Sequence, residues 1–188
     1  MYEDLKTYIT AKVPLSERDI ERFCGYFKAR SLAKKAYLLK EGQRCRHYFF
    51  IRKGLLRSYF TDEKGKEVIT SFAIERWWLT DIEGLSLQQP ASVNIQALEE
   101  TELWAISFDE LETASREIPG IDRLFRIIAE RRMVALQRRH YHYLRKSSQE
   151  RYAMIMKELP GFVQRIPQYM LASYLDMSPE YLSELRKK

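Results

Sequence analysis

The spacing of apolar positions changes twice along the chain. Near the start it is helical, and residues 2–12 and 16–28 each read as a helix. Ser16 with Asp19 three residues on is a capping pattern, and Ile20, Phe23 and Phe27 recur at helical spacing. From about 35 to 107, short runs rich in aromatic and branched residues alternate with turn signals. The runs are Tyr37–Leu39, His47–Ile51, Leu55–Phe60, Val68–Phe72, Ser92–Leu98 and Glu102–Ile106; Gly42, Gly54 and Gly65 punctuate them. Within one run, Val93, Ile95 and Ala97 alternate with Asn94 and Gln96, the period of a half-buried strand. Short strands at regular spacing without intervening helices predict an antiparallel β-roll, or jelly roll.

After Ser107 the helical period returns. Ser107-Phe108-Asp109-Glu110 is a capping box. A long helix follows, with Pro119 in its first turn, running to about Leu144: roughly 26 residues, or ~39 Å. Ile121, Leu124, Phe125, Ile128, Ala135, Leu136 and Tyr143 form one stripe on it, interrupted by Arg132 and Arg139. Ile127, Val134 and Tyr141 form a second stripe at seven-residue spacing. Two stripes need two covers. The roll supplies one and a second copy of the chain the other, with Ile121, Leu124, Phe125, Ile128, Ala135 and Leu136 assigned to the dimer helix. The alternative is a helix buried twice within one subunit. A second capping box, Ser147 to Glu150, starts a helix over Gln149–Leu159, which Pro160-Gly161 is expected to end.

The stretch Gln168–Lys188 reads as two short helices. Leu171, Ala172 and Leu175 face inward on the first, and the small Ala172 lets the pair cross closely. Asp176 takes the sharp turn, because Asp enters left-handed backbone more easily than most residues. Met177 plugs the angle. Ser178 caps the second helix, Pro179 takes its first position, and Leu182 and Leu185 face inward. This is helix-turn-helix spacing, with an ordinary helical hairpin as the alternative. The residues assigned to DNA contact are Gln168, Ser178, Pro179, Glu180, Tyr181, Ser183, Glu184, Arg186, Lys187 and Lys188. The fold class is thus α+β: a β-roll flanked by helices over 1–118, a long dimerisation helix over 119–146, and a helix-turn-helix unit over 147–188.

Charge sharpens this picture. The net charge of the 188 residues is +6, yet residues 1–110 hold 17 basic and 17 acidic side chains. The excess lies in residues 111–188, with 15 against 9. That points to an anionic partner for the C-terminal part, against the plainer reading of a solvated helical surface. No apolar run reaches the ~18 residues of a membrane helix. The first twenty residues lack a signal-peptide core, and with only two cysteines a reducing cytoplasm is expected. Cys24 and Cys45 exclude a disulfide scaffold and a cysteine-only zinc or iron–sulfur site. His47 is the only histidine in residues 1–110, too few for the metal triad of a cupin-like enzyme. His140 and His142, two apart on a helix, do not face one metal. No GxSxG, P-loop or dinucleotide fingerprint occurs, so neither an enzyme nor a cofactor is expected.

The tail LASYLDMSPEYLSELRKK resembles the C-terminal helix-turn-helix of the cyclic-AMP receptor protein/FNR superfamily of bacterial transcription regulators. NIQALEETELWAIS (Asn94–Ser107) resembles the end of that family's β-roll, and the order of parts is the same. The resemblance implies a homodimeric, sequence-specific DNA-binding regulator. Its implied partners are double-stranded DNA, RNA polymerase and an unidentified small-molecule effector bound between roll and long helix. In the family's cyclic-nucleotide binders, a Gly-Glu pair and an Arg-Ser or Arg-Ala pair grip ribose and phosphate. The matching stretches here are Thr80 to Gly84 and Pro90 to Ser92. Ser92 holds the hydroxyl position, but Ala91 stands where the phosphate arginine belongs, and no Arg or Lys lies between Trp78 and Asn94. Burying an anion without that donor costs several kcal/mol, so cyclic AMP is not the expected effector. Trp78, Asp81, Ala91 and Ser92 are the assigned effector-pocket residues. Haem through His47, His140 or His142 stays open. Glu180 matches the family's base-reading glutamate, whereas Glu184 replaces an arginine that reads guanine. The chain stops at Lys188 without a wing, leaving Arg186, Lys187 and Lys188 for phosphate. The competing readings are an effector-binding or protein-interaction module without DNA readout, and a cupin-like enzyme.

Overall fold

The computed structural model describes residues 2–187. Two helices open it, α1 (Glu3–Thr10) and α2 (Glu17–Cys24), the second capped by Ser16, whose hydroxyl accepts from the Asp19 N–H at 3.1 Å. The expected continuation of α2 to residue 28 does not form. Gly25 closes the helix, and the chain passes directly into β1 (Lys28–Leu32). Phe27 still meets Phe23 edge-on at 5.1 Å, so its helical spacing reflects shared packing rather than a continuous helix. β1 lacks apolar alternation because it is an exposed edge strand.

The remaining strands are β2 (Tyr37–Leu39), β3 (His47–Lys53), β4 (Leu56–Thr61), β5 (Glu67–Ala73), β6 (Trp78–Leu79), β7 (Asn94–Ala97) and β8 (Thr101–Ser107). They form the β-roll as two four-stranded antiparallel sheets, ordered β1-β8-β3-β6 and β2-β7-β4-β5. Between β6 and β7 lies a short helix, α3 (Ile82–Ser86). Leu39, Phe49, Ile51, Leu56, Ile95 and Leu103 fill the space between the sheets. Phe50, Trp104 and Ile106 point the other way, under α1, α2, α4 (Phe108–Glu117) and the start of α5 (Ile121–Arg145). β3 therefore reads as a continuous apolar run, since both of its faces are covered. The β3–β4 turn depends on Gly54 at φ 108, where a Cβ would stand 2.4 Å from Thr101 Oγ1.

The capping box at Ser107 forms: its N–H donates to Glu110 Oε2 at 2.9 Å and its hydroxyl accepts from the Glu110 N–H at 3.2 Å. Pro119 does not enter the first turn of α5. It sits in the preceding turn, and Gly120, at φ 103, caps the helix. The first stripe of α5 needs a correction. Ile121 and Leu124 are 0% exposed within their own subunit, so these two do not face a partner; Phe125 and Ile128 are half-buried against the same core. Ala135 and Leu136, further along, are exposed. Of the second stripe, Val134 and Tyr141 stand open beside Met133 and Leu144.

Lys146 breaks α5 with extended backbone, and a second capping box at Ser147 starts α6 (Ser148–Glu158). Pro160 does not simply end that helix. It occupies the first turn of another, α7 (Pro160–Arg165), followed by α8 (Gln168–Tyr174) and α9 (Pro179–Leu185). These helices share a buried cluster with the outer face of the second sheet, where Leu55, Tyr59, Ile69 and Phe72 meet Phe162, Met170 and Leu171.

Candidate nucleic-acid interface

The α8–α9 pair is built from its inner face outward. Met170, Leu171, Ala172 and Leu175 are buried, as is Leu182 from α9. Ala172 has no exposed surface, and its carbonyl accepts from the Met177 N–H at 3.0 Å, drawing the turn against α8. Asp176 adopts the left-handed conformation at φ 56, and its Oδ2 accepts from the Tyr143 hydroxyl at 3.1 Å. A side chain in that backbone region costs energy, so a tether from α5 helps hold the turn. Ser178 caps α9 through the Tyr181 N–H at 3.1 Å, and Pro179 occupies the first turn. Leu185 is only half-buried, less inward than its spacing implies.

The outer face is a shallow groove of about 600 Å³ lined by Gln168, Tyr169, Pro179, Glu180, Ser183, Glu184 and Lys187. Six of the residues assigned to DNA contact thus converge on one surface. Gln168 Nε2 lies 3.5 Å from the Pro179 carbonyl and bridges the two helix starts. Ser178 spends its hydroxyl on the cap, while Tyr181 and Arg186 are exposed outside the groove lining. Lys188 lies outside the described residues. Sequence reasoning missed Tyr169, 55% exposed beside Gln168; its place in the first turn of α8 was the available signal. The Glu180 carboxyl is held below its ordinary range by its own backbone N–H and then by the Ser178 hydroxyl, so it stays an acceptor at neutral pH.

Basic residues behind this surface are structural. Arg139 donates to the carbonyls of Thr70 and Tyr174 and lies over the Tyr174 ring at 4.2 Å. Arg151 donates to the carbonyls of Lys146 and Leu175, both at 2.9 Å. Arg165 spans Glu75 and Glu99. Burial alone would raise the Glu75 pKa, but the Arg165 hydrogen bonds outweigh it and hold the carboxyl below the usual range.

Of the assigned effector-pocket residues, Trp78 stands apart from the stretch that carries the others. Trp78 lies in the aromatic layer outside the roll, 5.2 Å from Phe125 and 5.3 Å from Phe50. Ala91 is 3% exposed in the apolar interior. Ser92 is on the surface, its hydroxyl donating to Glu83 Oε2 at 3.3 Å. Asp81 is 6% exposed at the start of α3, with Oδ2 lacking a hydrogen-bond partner. A concavity of about 420 Å³ opens at the start of β3, lined by Arg44, Arg46, His47, Gly84, Leu85 and Gln88 among others. Burial, then Arg30, push the His47 pKa down. Arg57 is buried on the second sheet's outer side, committed to Glu67 and Gln96 and stacked over Tyr59 at 4.1 Å. Cys24 packs in the helical layer and Cys45 inside the roll, so the two do not share a site; burial pushes the Cys24 thiol up to about 11.

Residues 29–117 match the family described as the cyclic nucleotide-binding domain. The chain is 27% identical over 134 residues to the transcriptional activator protein anr of Pseudomonas aeruginosa, across 70% of this chain and 53% of that one. It spans about half the length of the curated relatives it matches. Among solved structures, FixK2 from Bradyrhizobium japonicum aligns with a TM-score of 0.74 at 17% identity, over 86% of this chain and 83% of that one. The c-di-GMP responsive global regulator CLP of Xanthomonas campestris aligns at 0.72 and 15%, over 92% and 90%.

Proposed function

We propose that this chain, whose residues 29–117 match the cyclic nucleotide-binding domain and whose fold aligns with FixK2, is a regulator of the CRP/FNR superfamily that binds specific DNA sequences as a homodimer. Residues 1–118 act as sensor, 119–146 as dimer helix and 147–188 as the DNA-binding unit. The observation that carries this is the groove over α8 and α9, which offers Gln168, Glu180, Ser183, Glu184 and Lys187 while Leu182 locks the opposite face. Glu180 accepts from cytosine N4, and Lys187 contacts phosphate. In the dimer, two copies of α5 pair through Met133, Val134, Tyr141 and Leu144, setting the recognition helices about one DNA turn, ~34 Å, apart.

The sensor does not take cyclic AMP in this proposal. Ala91 offers no cation to the phosphate, and the buried Arg57 guanidinium is already spent on Glu67 and Gln96. Any effector is a different small molecule. RNA polymerase is a further partner in this proposal.

A selection of bound duplexes from a random pool tests the reading. It is expected to return a pseudo-palindrome whose affinity falls steeply with salt. Glu180→Ala is expected to relax preference at one position per half-site and weaken binding by ~1–3 kcal/mol. Two carboxylates against one ammonium in the groove favour a second reading, an interaction module for a basic or neutral protein partner. Salt-insensitive failure to retain any duplex would support it.

A further inference from the structure

We propose that Arg165 is a positioning residue for α9: by clasping α7 to the roll it fixes the separation of the two recognition helices, and so the half-site spacing the dimer accepts. This rests on the DNA-binding reading and deepens it.

Arg165 ends α7, two residues before Pro167, and joins two separate loops of the roll. Its Nε and Nη2 donate to Glu99 at 3.0 and 2.8 Å; its Nη1 and Nη2 donate to Glu75 at 2.8 and 2.9 Å. Glu75 follows β5 and also accepts from the Gly54 N–H at 2.8 Å. Among the described residues neither carboxylate has another cation partner. A planar fork filled by two carboxylates admits one orientation, which a purely apolar contact would not specify.

The far end of α8 is pinned separately. β5 is the edge of its sheet and leaves backbone groups pointing outward. The Ile69 N–H donates to the Ser173 hydroxyl at 3.1 Å, and that hydroxyl lies 3.4 Å from the Glu67 carbonyl. α8 therefore lies along the β5 edge, held at one end by Arg165 and near the other by Ser173. α9 follows α8 through the buried Leu182. Without this seam, the unit would be held through α5 alone, by the Arg139 and Tyr143 contacts to the end of α8 and its turn and by the extended backbone at Lys146. Removing Arg165 leaves Glu75 and Glu99 facing each other as like charges, which opens the clasp.

The test uses the full chain and its selected operator, with half-site spacing changed by one or two base pairs. The wild type is expected to discriminate against altered spacing by about tenfold or more, as linked sites do when geometry forbids joint engagement. Arg165→Met keeps the aliphatic stem. It is expected to reduce that discrimination to about threefold or less, with affinity for an isolated half-site unchanged. The double variant Glu75→Gln with Glu99→Gln should do the same. Hydrogen exchange at the Ile69 amide, a readout independent of DNA, is expected to speed up about tenfold in Arg165→Met. Preserved spacing discrimination with preserved Ile69 protection overturns the proposal. So does an equal loss on operator and half-site with a lower melting temperature, which marks a merely structural role. If the wild type binds no duplex, the DNA-binding reading fails and the positioning role with it; Ile69 exchange then still reports whether the clasp exists.

Discussion

The roll carries helices on both outer faces, and the two attachments are made differently. On the β1-β8-β3-β6 sheet, α1, α2, α4 and the start of α5 are joined by large apolar side chains with no exposed surface: Leu5, Ile9, Phe23, Phe50, Ile106, Ile118, Ile121 and Leu124. Aromatic edges do much of the fitting, as where Tyr8 meets Phe50 at 5.3 Å. On the β2-β7-β4-β5 sheet, the C-terminal helices bring a smaller apolar patch, and two arginines reach the sheet and its loops: Arg139 of α5 through the Thr70 carbonyl and Arg165 of α7 through Glu75 and Glu99. Apolar burial is strong and non-directional, whereas charged hydrogen bonds contribute less net stability but specify geometry. The first seam keeps the roll folded; the second orients α8 and α9.

The largest test of this contrast is Phe50→Ala. It is expected to cost ~3–5 kcal/mol in urea unfolding and to lower the stability of the whole chain together. A loss under ~1 kcal/mol would remove the distinction between the seams. Arg139→Met comes next. It strips the Thr70 and Tyr174 carbonyls of their donor and is expected to cost ~1–3 kcal/mol. Its hydrogen-exchange signature should be confined to β5 and α8, with α1 and α2 unaffected. Ser107→Ala is the smallest, at ~1 kcal/mol for a lost cap. Its pH dependence has a definite sign. The Ser107 hydroxyl, followed by the Ser107 N–H and Lys28, holds the Glu110 carboxyl at about 2, below its ordinary 4.5. Glu110 therefore stabilises the fold above about pH 4.5 and loses that effect as pH falls toward 2. In Ser107→Ala the difference between urea midpoints at neutral and acid pH should shrink.

Legibility differed between elements for physical reasons. β3, β4, β5, β7 and β8 were readable because each is a short apolar or alternating run with turns between. β1 was not, since KARSL is an exposed edge held by pairing with β8 rather than by its own side chains. β6 spans two residues, too short for any period to register. In the helix-turn-helix, the cap at Ser178, the left-handed Asp176 and the inward Leu182 were all local features, and the outward residues followed from them. The effector set was less legible: Trp78, Asp81, Ala91 and Ser92 are close in sequence, yet Trp78 packs outside the roll, Ala91 inside it and Ser92 on the surface.

Local chemistry in the sequence alone determined the capping boxes, most strands of the roll, the long helix and the crossed pair at the end, because each depends on residues within a few positions of one another. Only the tertiary structure decided which part of α5 is spoken for: its first turns pack on the subunit's own core and the later ones stand open. Ile121 and Leu124 and Val134 and Tyr141 are equally apolar as letters, and the choice between own core and open surface is made by the sheet and helices that arrive from a hundred residues earlier. The same holds for Arg165, whose partners Glu75 and Glu99 lie 90 and 66 positions away. An arginine's charge is visible in a sequence, but the carboxylates it will meet are set by the closure of the roll.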